Sequence, residues 1–285
     1  MEKLGNLGYN YPVDVFWWDK QEIAMGVCNG RTFKIDSRDG NNSDITGDAL
    51  TVIGKTTFAD NGTYGFFASG GRIISTNAGA ATAFIADGDA PTEVSHVAYI
   101  DQYLLANKVN TGYFHHSDFN APLTWTATSF FNAESKPDII KALHAHDREI
   151  SLFGDNSIEV WVPSATGAAF QRLDGGYVER GTIANSSVLF HLGAYLWMDN
   201  ERHICKMTER APTILSSTID DVIRDFLPVG DCISFGFSIG KQIFSMFTFL
   251  TEDRTFVYNH TSDTWSEWGK WDPDAIKFKK WPGYS

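Results

Sequence analysis

One short pattern occurs six times along the chain: an apolar arm, a tight polar turn and a second apolar arm. In the copy LFGDNSIEVW at 152–161, Gly154 and Asn156 tolerate positive φ and Asp155 can bond its own backbone where the chain reverses. The first apolar residues after the six turns are Phe33, Ile73, Tyr113, Ile158, Ile204 and Phe256. Their spacings of 40, 40, 45, 46 and 52 residues are typical of the four-stranded blades of a β-propeller.

The spacing predicts an all-β protein: a β-propeller of about six four-stranded blades over residues 1–275, followed by a C-terminal tail at 276–285. The predicted blade hairpins lie near 23–36, 65–75, 103–117, 151–162, 194–207 and 243–258. Candidate first strands lie at 13–18, 94–100, 139–145, 187–192 and 232–237, and candidate fourth strands at 124–130 and 264–271. A two-sheet sandwich or two β domains is the alternative fold, and five or seven blades would also fit.

The aromatic content supports strands, because the chain has 21 Phe, 10 Tyr and 9 Trp, residues that suit half-buried pleated surfaces. Strands such as SMFTFL (245–250) are apolar almost throughout, as expected for sheets that are covered on both faces. Packing small sheets face to face covers those surfaces and shortens the exposed edges.

One segment departs from the strand pattern. In STIDDVIRDFLP, at 217–228, Ile219, Val222, Ile223 and Phe226 follow helical spacing. Ser217 or Thr218 can cap the start, and acidic residues follow in the first turn. We predict one short helix between two blades.

Composition limits the function. The chain has 23 basic and 35 acidic residues, a net charge of −12, which opposes general binding to nucleic acid or to anionic membranes. Cys28, Cys205 and Cys232 lack the spacing of a zinc site, and their odd number argues against a disulfide framework, so a reducing compartment is expected. No signal peptide is evident, and no apolar stretch reaches the roughly 18 residues of a membrane-spanning helix.

Metal ligation is the first chemistry to consider. His115 and His116 are adjacent, and His144 and His146 alternate on a predicted strand, so the latter pair shares one face. The spacing places no third ligand near either pair. We therefore predict no metal site, and the remaining histidines are scattered singly. Nucleophile and phosphate-binding motifs are also missing from the sequence, so no catalytic and no cofactor-binding residues are predicted.

The alternative function is a carbohydrate-active, glycosidase-like propeller enzyme. Such an enzyme would use carboxylates near the innermost strands, here Asp14, Asp147, Glu149 and Asp231. HTSDTWSEW at 260–268 is weakly similar to the Asp-box turn of sialidases, and its expected role is structural, with Trp265 packed between blades. A monomeric interaction propeller is a third possibility. The basic run IKFKKW, at 276–281, is expected to be a solvated tail or to pair across a subunit boundary with acidic residues.

The segment from about Pro137 to Trp268 resembles the packaged-DNA stabilisation proteins of short-tailed bacteriophages, the tail-hub or nozzle family. The resemblance rests on the hairpin motif G-x-x-S-I-E-x-W from Gly154 to Trp161, on Glu179-Arg180-Gly181 after it, and on the segment that contains the predicted helix. The first third of the chain agrees only in its spacing and in its Asn29-Gly30-Arg31 turn.

The resemblance implies a non-enzymatic part of the virion tail. It implies a homo-oligomeric ring, typically a hexamer, below the portal and its adaptor, with attachment sites for needle, spikes or fibres. Packaged DNA would pass through without sequence recognition, and the protein would be made and assembled in the host cytoplasm without membrane insertion. Longer relatives continue into a further β region, whereas this sequence ends seventeen residues after Trp268, which puts docking functions of that region in doubt here.

Overall fold

Six small β-sheets make up nearly all of the protein in the computed structural model, which describes residues 14–35, 41–133, 138–165 and 167–281. In every sheet the strands lie side by side in the order of the sequence. Five sheets have four strands, and the sixth has a further short strand. The fold is a six-bladed β-propeller, which confirms the predicted fold class and blade number.

The strands of the first three sheets have the following bounds. The first sheet contains β1 (Asp14–Trp18), β2 (Ile23–Cys28), β3 (Arg31–Ile35) and β4 (Asn42–Asp44). The second contains β5 (Val52–Asp60), β6 (Tyr64–Gly70), β7 (Ile74–Asn77) and β8 (Ala83–Phe84). The third contains β9 (Val97–Ile100), β10 (Tyr103–Asn107), β11 (Tyr113–Asp118) and β12 (Ala121–Asn132).

The last three sheets follow in the same manner. The fourth contains β13 (Ile140–His146), β14 (Glu149–Gly154), β15 (Ile158–Pro163) and β16 (Phe170–Val178). The fifth contains β17 (Leu189–His191), β18 (Ala194–Met198), β19 (Ile204–Thr208) and β20 (Ala211–Ile214). The sixth contains β21 (Cys232–Ile239), β22 (Gln242–Phe249), β23 (Arg254–Asn259), β24 (Thr264–Asp272) and β25 (Lys277–Lys280). The short helix α1 spans Asp220–Arg224, and 3₁₀ turns lie at Asp19–Gln21 and Asn185–Ser187.

The hairpins recognised in the sequence fall on the second and third strands of each sheet. The turn between β2 and β3 shows why the sequence signal is strong there. Asn29 and Gly30 both have positive φ, 48° and 78°, as a two-residue hairpin turn requires. A β-carbon on Gly30 would also lie 2.5 Å from the carbonyl oxygen of Leu50, so the turn leaves no space for a side chain.

The predicted helix forms over a shorter range than its apolar spacing indicated. It spans Asp220–Arg224, and the residue before it, Ile219, makes no side-chain capping bond. Ser217 and Thr218 are therefore not the caps that the sequence predicted. The hydroxyl of Ser216 instead donates to the carboxylate of Asp220 in the first turn. Pro228 lies four residues after the last helical residue, Arg224, so it follows the helix as the sequence predicted.

The described chain divides into two compact units. The first contains residues 14–152 and 160–173, and the second contains residues 153–159 and 174–281, so the fourth sheet contributes to both. In the first unit, apolar clusters lie between neighbouring sheets. Phe67 and Met25 belong to the cluster of the first and second sheets, whereas Phe66 and Leu104 belong to that of the second and third. Because Phe66 and Phe67 are adjacent on β6, one strand fills the core on both of its faces.

In the second unit, an apolar cluster joins the fifth and sixth sheets to the helix. It contains Leu196 and Ile204 from the fifth sheet, Phe247 and Phe249 from the sixth, and Ile223 from α1. Trp265 packs against the same cluster and donates its indole N–H to the carbonyl of Leu215 at 2.9 Å. The structural role expected for Trp265 is therefore what the structure shows.

Core packing between sheets gives a first testable prediction. Leu104 is fully buried between the second and third sheets, so Leu104→Ala should lower the free energy of unfolding by about 2–5 kcal/mol, measured by urea titration. Ile53→Ala is the matched control, because Ile53 is 76% exposed and its truncation should change stability little. Equal effects of the two substitutions would contradict the placement of the core.

Candidate functional site

Two motifs of the family resemblance, the turn of the 154–161 hairpin and Glu179-Arg180-Gly181, meet in the second unit. Gly181, from the Glu-Arg-Gly motif, packs directly on the turn of the 154–157 hairpin. A β-carbon on Gly181 would lie 2.3 Å from the backbone nitrogen of Asn156 and 2.3 Å from the carbonyl carbon of Asp155. The N–H of Thr182 donates to the carbonyl of Gly154 at 2.8 Å. Two motifs separated in sequence are thus parts of one contact, and Gly181 has no space for any side chain.

The β18–β19 hairpin of the fifth sheet holds this glycine from the other side. The indole N–H of Trp197 donates to the carbonyl of Gly181 at 2.9 Å, and the N–H of Gly181 donates to Asn200 Oδ1 at 3.2 Å. Trp197 is fully buried and also packs edge-on against Phe153, with ring centroids 5.6 Å apart. We call the assembly of 153–157, 180–182, Trp197 and 199–205 the Gly181 junction.

A buried carboxylate lies at the centre of the Gly181 junction. Asp199 has no exposed surface, and its Oδ1 accepts the N–H groups of Glu201 at 2.9 Å and His203 at 2.7 Å, which shapes the turn. Its Oδ2 accepts from the guanidinium of Arg180 and from the thiol of Cys205, the latter at 3.2 Å. Arg180 therefore supplies the counter-charge that a buried carboxylate requires.

The same cluster is also the one grouping among the described residues whose donor set resembles a metal site. Ligand atoms of Asp199, Glu201 and His203 lie within 4.8 Å of one another. The guanidinium of Arg180, however, already bonds Asp199 and lies 3.5 Å from Glu201, and a cation would have to displace it. Burial and the neighbouring Asp199 raise the pKa of the Cys205 thiol to about 12, so this sulfur is a protonated donor and not a thiolate ligand. The residues fit an internal ion pair better than a metal centre.

The histidines considered as ligands in the sequence have packing roles. His116 lies among Tyr103, Phe131 and Phe170, with centroid distances of 5.2–5.7 Å, and its Nδ1 is 2.8 Å from the carbonyl oxygen of Ser117. Its neighbour His115 packs against Phe130. On β13, burial and His146 lower the pKa of His144 to about 4, which keeps its imidazole neutral.

Two other histidines form a cluster that the sequence did not indicate. The hydroxyl of Ser245 lies 3.1 Å from His191 Nδ1 and 2.8 Å from His260 Nε2. The His191 ring packs so closely on Gly236 that a β-carbon there would lie 2.8 Å from its Nδ1. Burial, together with the neighbouring His191, lowers the pKa of His260 to about 4. Ser245 has no exposed surface, so the cluster links the fifth and sixth sheets and does not present a nucleophile.

The carboxylates of the glycosidase alternative have separate local contacts. Asp14 accepts the N–H of Thr56 at 2.8 Å, and burial raises its pKa. Asp147 lies in the β13–β14 turn with positive φ and an 88% exposed side chain, two residues before Glu149. Asp231 accepts the N–H of Thr251 at 2.6 Å. These contacts shape loops and strand ends, and none of them joins two of the four carboxylates.

Sequence reasoning missed Arg180 and Asp199 as partners. In the sequence, Arg180 stands out only as part of the Glu-Arg-Gly motif, and Asp199 only lies within the predicted 194–207 hairpin. The nineteen residues between them follow no periodic pattern that would bring the two side chains together. The signal in the sequence was Arg180 itself, a charged residue beside Gly181 in the Glu-Arg-Gly motif that had no assigned role.

The protein is thus a β-propeller in which two sequence motifs, the 154–157 turn and Glu179-Arg180-Gly181, form a packing contact with a structural role. A family model described as bacteriophage P22 Gp10, beta-propeller, matches residues 14–227, and the chain belongs to this phage-stabilisation family. The matched range contains the Gly181 junction and ends before the sixth sheet. The protein is therefore a bacteriophage structural protein of the DNA-stabilisation family, and the resemblance seen in the sequence is confirmed.

Several solved structures are similar to this chain, and the similarity is one of fold only. YCF48 from Cyanidioschyzon merolae is 11% identical with a TM-score of 0.54, over 95% of this chain and 88% of that one. The computationally designed Ika8 protein is 12% identical with a TM-score of 0.50, over 93% and 89%. A proposed 6-phosphogluconolactonase from Bacteroides uniformis is 10% identical with a TM-score of 0.51, over 83% and 76%.

No curated protein gives a significant sequence match. The helical part of the described chain contains no segment of the length and apolarity needed to cross a membrane.

The close contact at Gly181 gives a second prediction. Gly181→Ala should destabilise the protein by about 1–3 kcal/mol, because the added methyl meets backbone atoms that cannot move independently. Gly88→Ala is the matched control, since nothing lies within 4 Å of the corresponding β-carbon. Urea titration of both variants measures the difference, and a neutral Gly181→Ala would show that the junction is not tightly packed.

Three half-buried histidines give a third prediction, on the pH dependence of stability. The pKa values of His115, His144 and His260 are each lowered from 6.5 to about 4, so the unfolded chain binds more protons than the folded chain between these values. Stability should be fully present above pH 6.5 and should decrease as the pH falls toward 4. His260→Gln keeps a hydrogen-bonding side chain beside Ser245. It should reduce the slope of the unfolding free energy against pH by the equivalent of up to about one bound proton.

Urea titrations across this pH range test the prediction, with Ile53→Ala as control, because this change at an exposed position removes no titratable group. A wild-type stability that is constant from pH 6.5 to 4 would contradict it, as would an equal change of slope in both variants.

Proposed function

We propose that this protein is a tail-hub or nozzle component of a short-tailed phage virion. It forms a ring below the portal and its adaptor, helps to retain the packaged DNA and provides attachment for needle, spikes or fibres. Membership of the phage-stabilisation family over residues 14–227 is the observation that carries this proposal.

The charge of the chain suits contact with passing DNA. A net charge of −12 gives a ring whose surface repels phosphates on average, so the genome can slide past without adhering. Retention would then come from closing the channel together with other tail proteins, and not from binding the DNA. The proposal therefore involves no sequence-specific recognition of the genome.

The cysteines suit assembly in the host cytoplasm. Cys28, Cys205 and Cys232 are free and buried. Burial raises the pKa of all three thiols, which keeps them protonated and slow to react. A protein of this kind needs no oxidising compartment to fold, and it can join particles that assemble inside the cell.

A passive role also suits the polar residues described above. The most elaborate polar cluster, at Asp199, is neutralised internally by Arg180, and the histidines have aromatic or serine neighbours. The partners we propose are further copies of the chain, the head-to-tail adaptor and the needle, spike or fibre proteins.

The fourth prediction tests this role on particles. DNA-filled heads that carry the adaptor but lack this protein should release DNA, and adding the purified protein should restore retention. Nuclease-sensitive DNA, measured over time, is the readout. Particles that keep their DNA and infectivity without the protein would contradict the proposal.

Two variants separate this role from the enzyme alternative. Asp14→Asn and Asp231→Asn should restore DNA retention as well as the wild type, because each amide keeps an oxygen acceptor for the Thr56 or Thr251 N–H. Because Asp14 also interacts electrostatically with Lys55, circular dichroism first checks that Asp14→Asn folds like the wild type. Glycan cleavage by the wild type that either variant abolishes would favour the enzyme.

A further inference from the structure

The contact between the fifth and sixth sheets has two chemically different ends. At the apolar end, Leu196 of β18 belongs to one cluster with Phe247 of β22. At the other end, which we call the histidine end, His191 of β17 and His260 of the β23–β24 turn meet at Ser245 of β22. Ser245 and Phe247 lie on the same face of one strand, two residues apart, so the two ends are neighbours.

Ser245 provides one hydroxyl for two imidazoles. Its Oγ lies 3.1 Å from His191 Nδ1 and 2.8 Å from His260 Nε2, and it has no third hydrogen-bond partner in the described part of the chain. A hydroxyl has one proton to donate and can accept more than one. When both histidines are neutral, the hydroxyl accepts an N–H from one ring and donates to the unprotonated nitrogen of the other, so every group is satisfied.

Added protons change this arrangement in two steps. One proton can be accommodated, because a protonated ring donates to Ser245 and the hydroxyl then donates to the neutral ring. After a second proton both rings only donate, and the hydroxyl proton is left buried without an acceptor. The ring centroids of His191 and His260 are 5.6 Å apart, so two positive charges would also repel each other at short range. The closed contact therefore holds at most one added proton.

The charged groups around the histidine end do not offset this repulsion. Lys206, on β19, lowers the pKa of His260, and Asp263, in the β23–β24 turn, raises it. Asp263 already accepts from the hydroxyl of Tyr258 at 2.6 Å, and the Tyr258 ring packs edge-on against His260. Burial is the largest cause of the low pKa of His260, about 4, and it also lowers the pKa of His191. Both rings are partly exposed, so protons from water can reach them.

The strand β21 contributes close packing and no charge. A β-carbon on Gly236 would lie 2.8 Å from His191 Nδ1, and Gly236 pairs with Ser245 in the sheet register. The side of the His191 ring that faces Ser245 is therefore packed against the sixth sheet. A positive charge on this ring gains full hydration only when the two sheets separate here.

We propose that the histidine end is an acid-sensitive link, in which protonation of His191 and His260 separates the fifth and sixth sheets at this end while the apolar end stays closed. Ile223 and Phe249, which do not titrate, also hold the apolar end. The sixth sheet lies beyond the family-matched residues 14–227, so the link controls how that sheet is held to the matched part of the chain. The link does not depend on the proposed tail role.

The direction of the pH effect follows from the lowered pKa. In the closed contact the pKa of His260 is about 4, against 6.5 for its ordinary value, so opening takes up protons below pH 6.5. His260 alone should raise the equilibrium constant for opening by about thirtyfold between pH 7.5 and pH 5. Above pH 6.5 the link should stay closed.

Hydrogen exchange of backbone amides, measured by mass spectrometry at pH 7.5 and pH 5, tests the link. The strand β17 is an edge strand that pairs only with β18, so it should lose protection when the sixth sheet moves away. After correction for the chemical exchange rate, opening at 189–191 should increase about thirtyfold. Exchange at Phe247 and Phe249, at the apolar end, should not change.

Substitutions of the two histidines assign the effect. In His191→Gln and His260→Gln, the amide can still donate to and accept from Ser245 but does not titrate, so each variant should reduce the increase at 189–191 and the double variant should abolish it. His146→Gln is the matched control, because His146 lowers the pKa of His144 and acts on neither histidine of the link. This control should keep the wild-type increase.

Three results would overturn the link: no increase at 189–191 in the wild type, an equal increase in every strand, which would mean global unfolding, or an increase that the double variant retains. The wild-type chain also gives a test without substitutions. In an NMR titration, the rings of His191 and His260 should both titrate below pH 6.5. Titration of either ring at or above that pH would show that the closed contact tolerates its charge.

Discussion

The fold depends on covering both faces of small, aromatic-rich sheets. A four-stranded sheet such as β5–β8 carries Phe66 on one face and Phe67 on the other, so a single layer of cover leaves a full apolar face in water. Burying each side chain contributes about 1.5–3 kcal/mol, and this favours successive sheets packed face to face over isolated hairpins. The hairpins recur at nearly regular spacing in the sequence because every sheet must supply two apolar faces of similar size.

Polar groups that are buried between such sheets must form their hydrogen bonds and ion pairs within the protein. Asp199 and Arg180 provide one solution, in which a buried carboxylate shapes a turn and an arginine beside Gly181 supplies the counter-charge. Breaking such a pair leaves an uncompensated buried charge, whereas the intact pair fixes which backbone segments meet. The motif shared with the phage family is therefore explained by assembly of the fold, and it needs no catalytic role.

The sequence revealed the central strands of each blade and far less of their surroundings. Hairpins such as β2–β3 combine apolar arms with a turn whose Asn29 and Gly30 adopt positive φ, and both signals are local. Outer strands such as β4, with the sequence Asn-Ser-Asp and little buried surface, carry no apolar signal and depend on pairing with a neighbour. The contact of Asp199 with Arg180 escaped prediction for the same reason, since only the folded backbone brings them together.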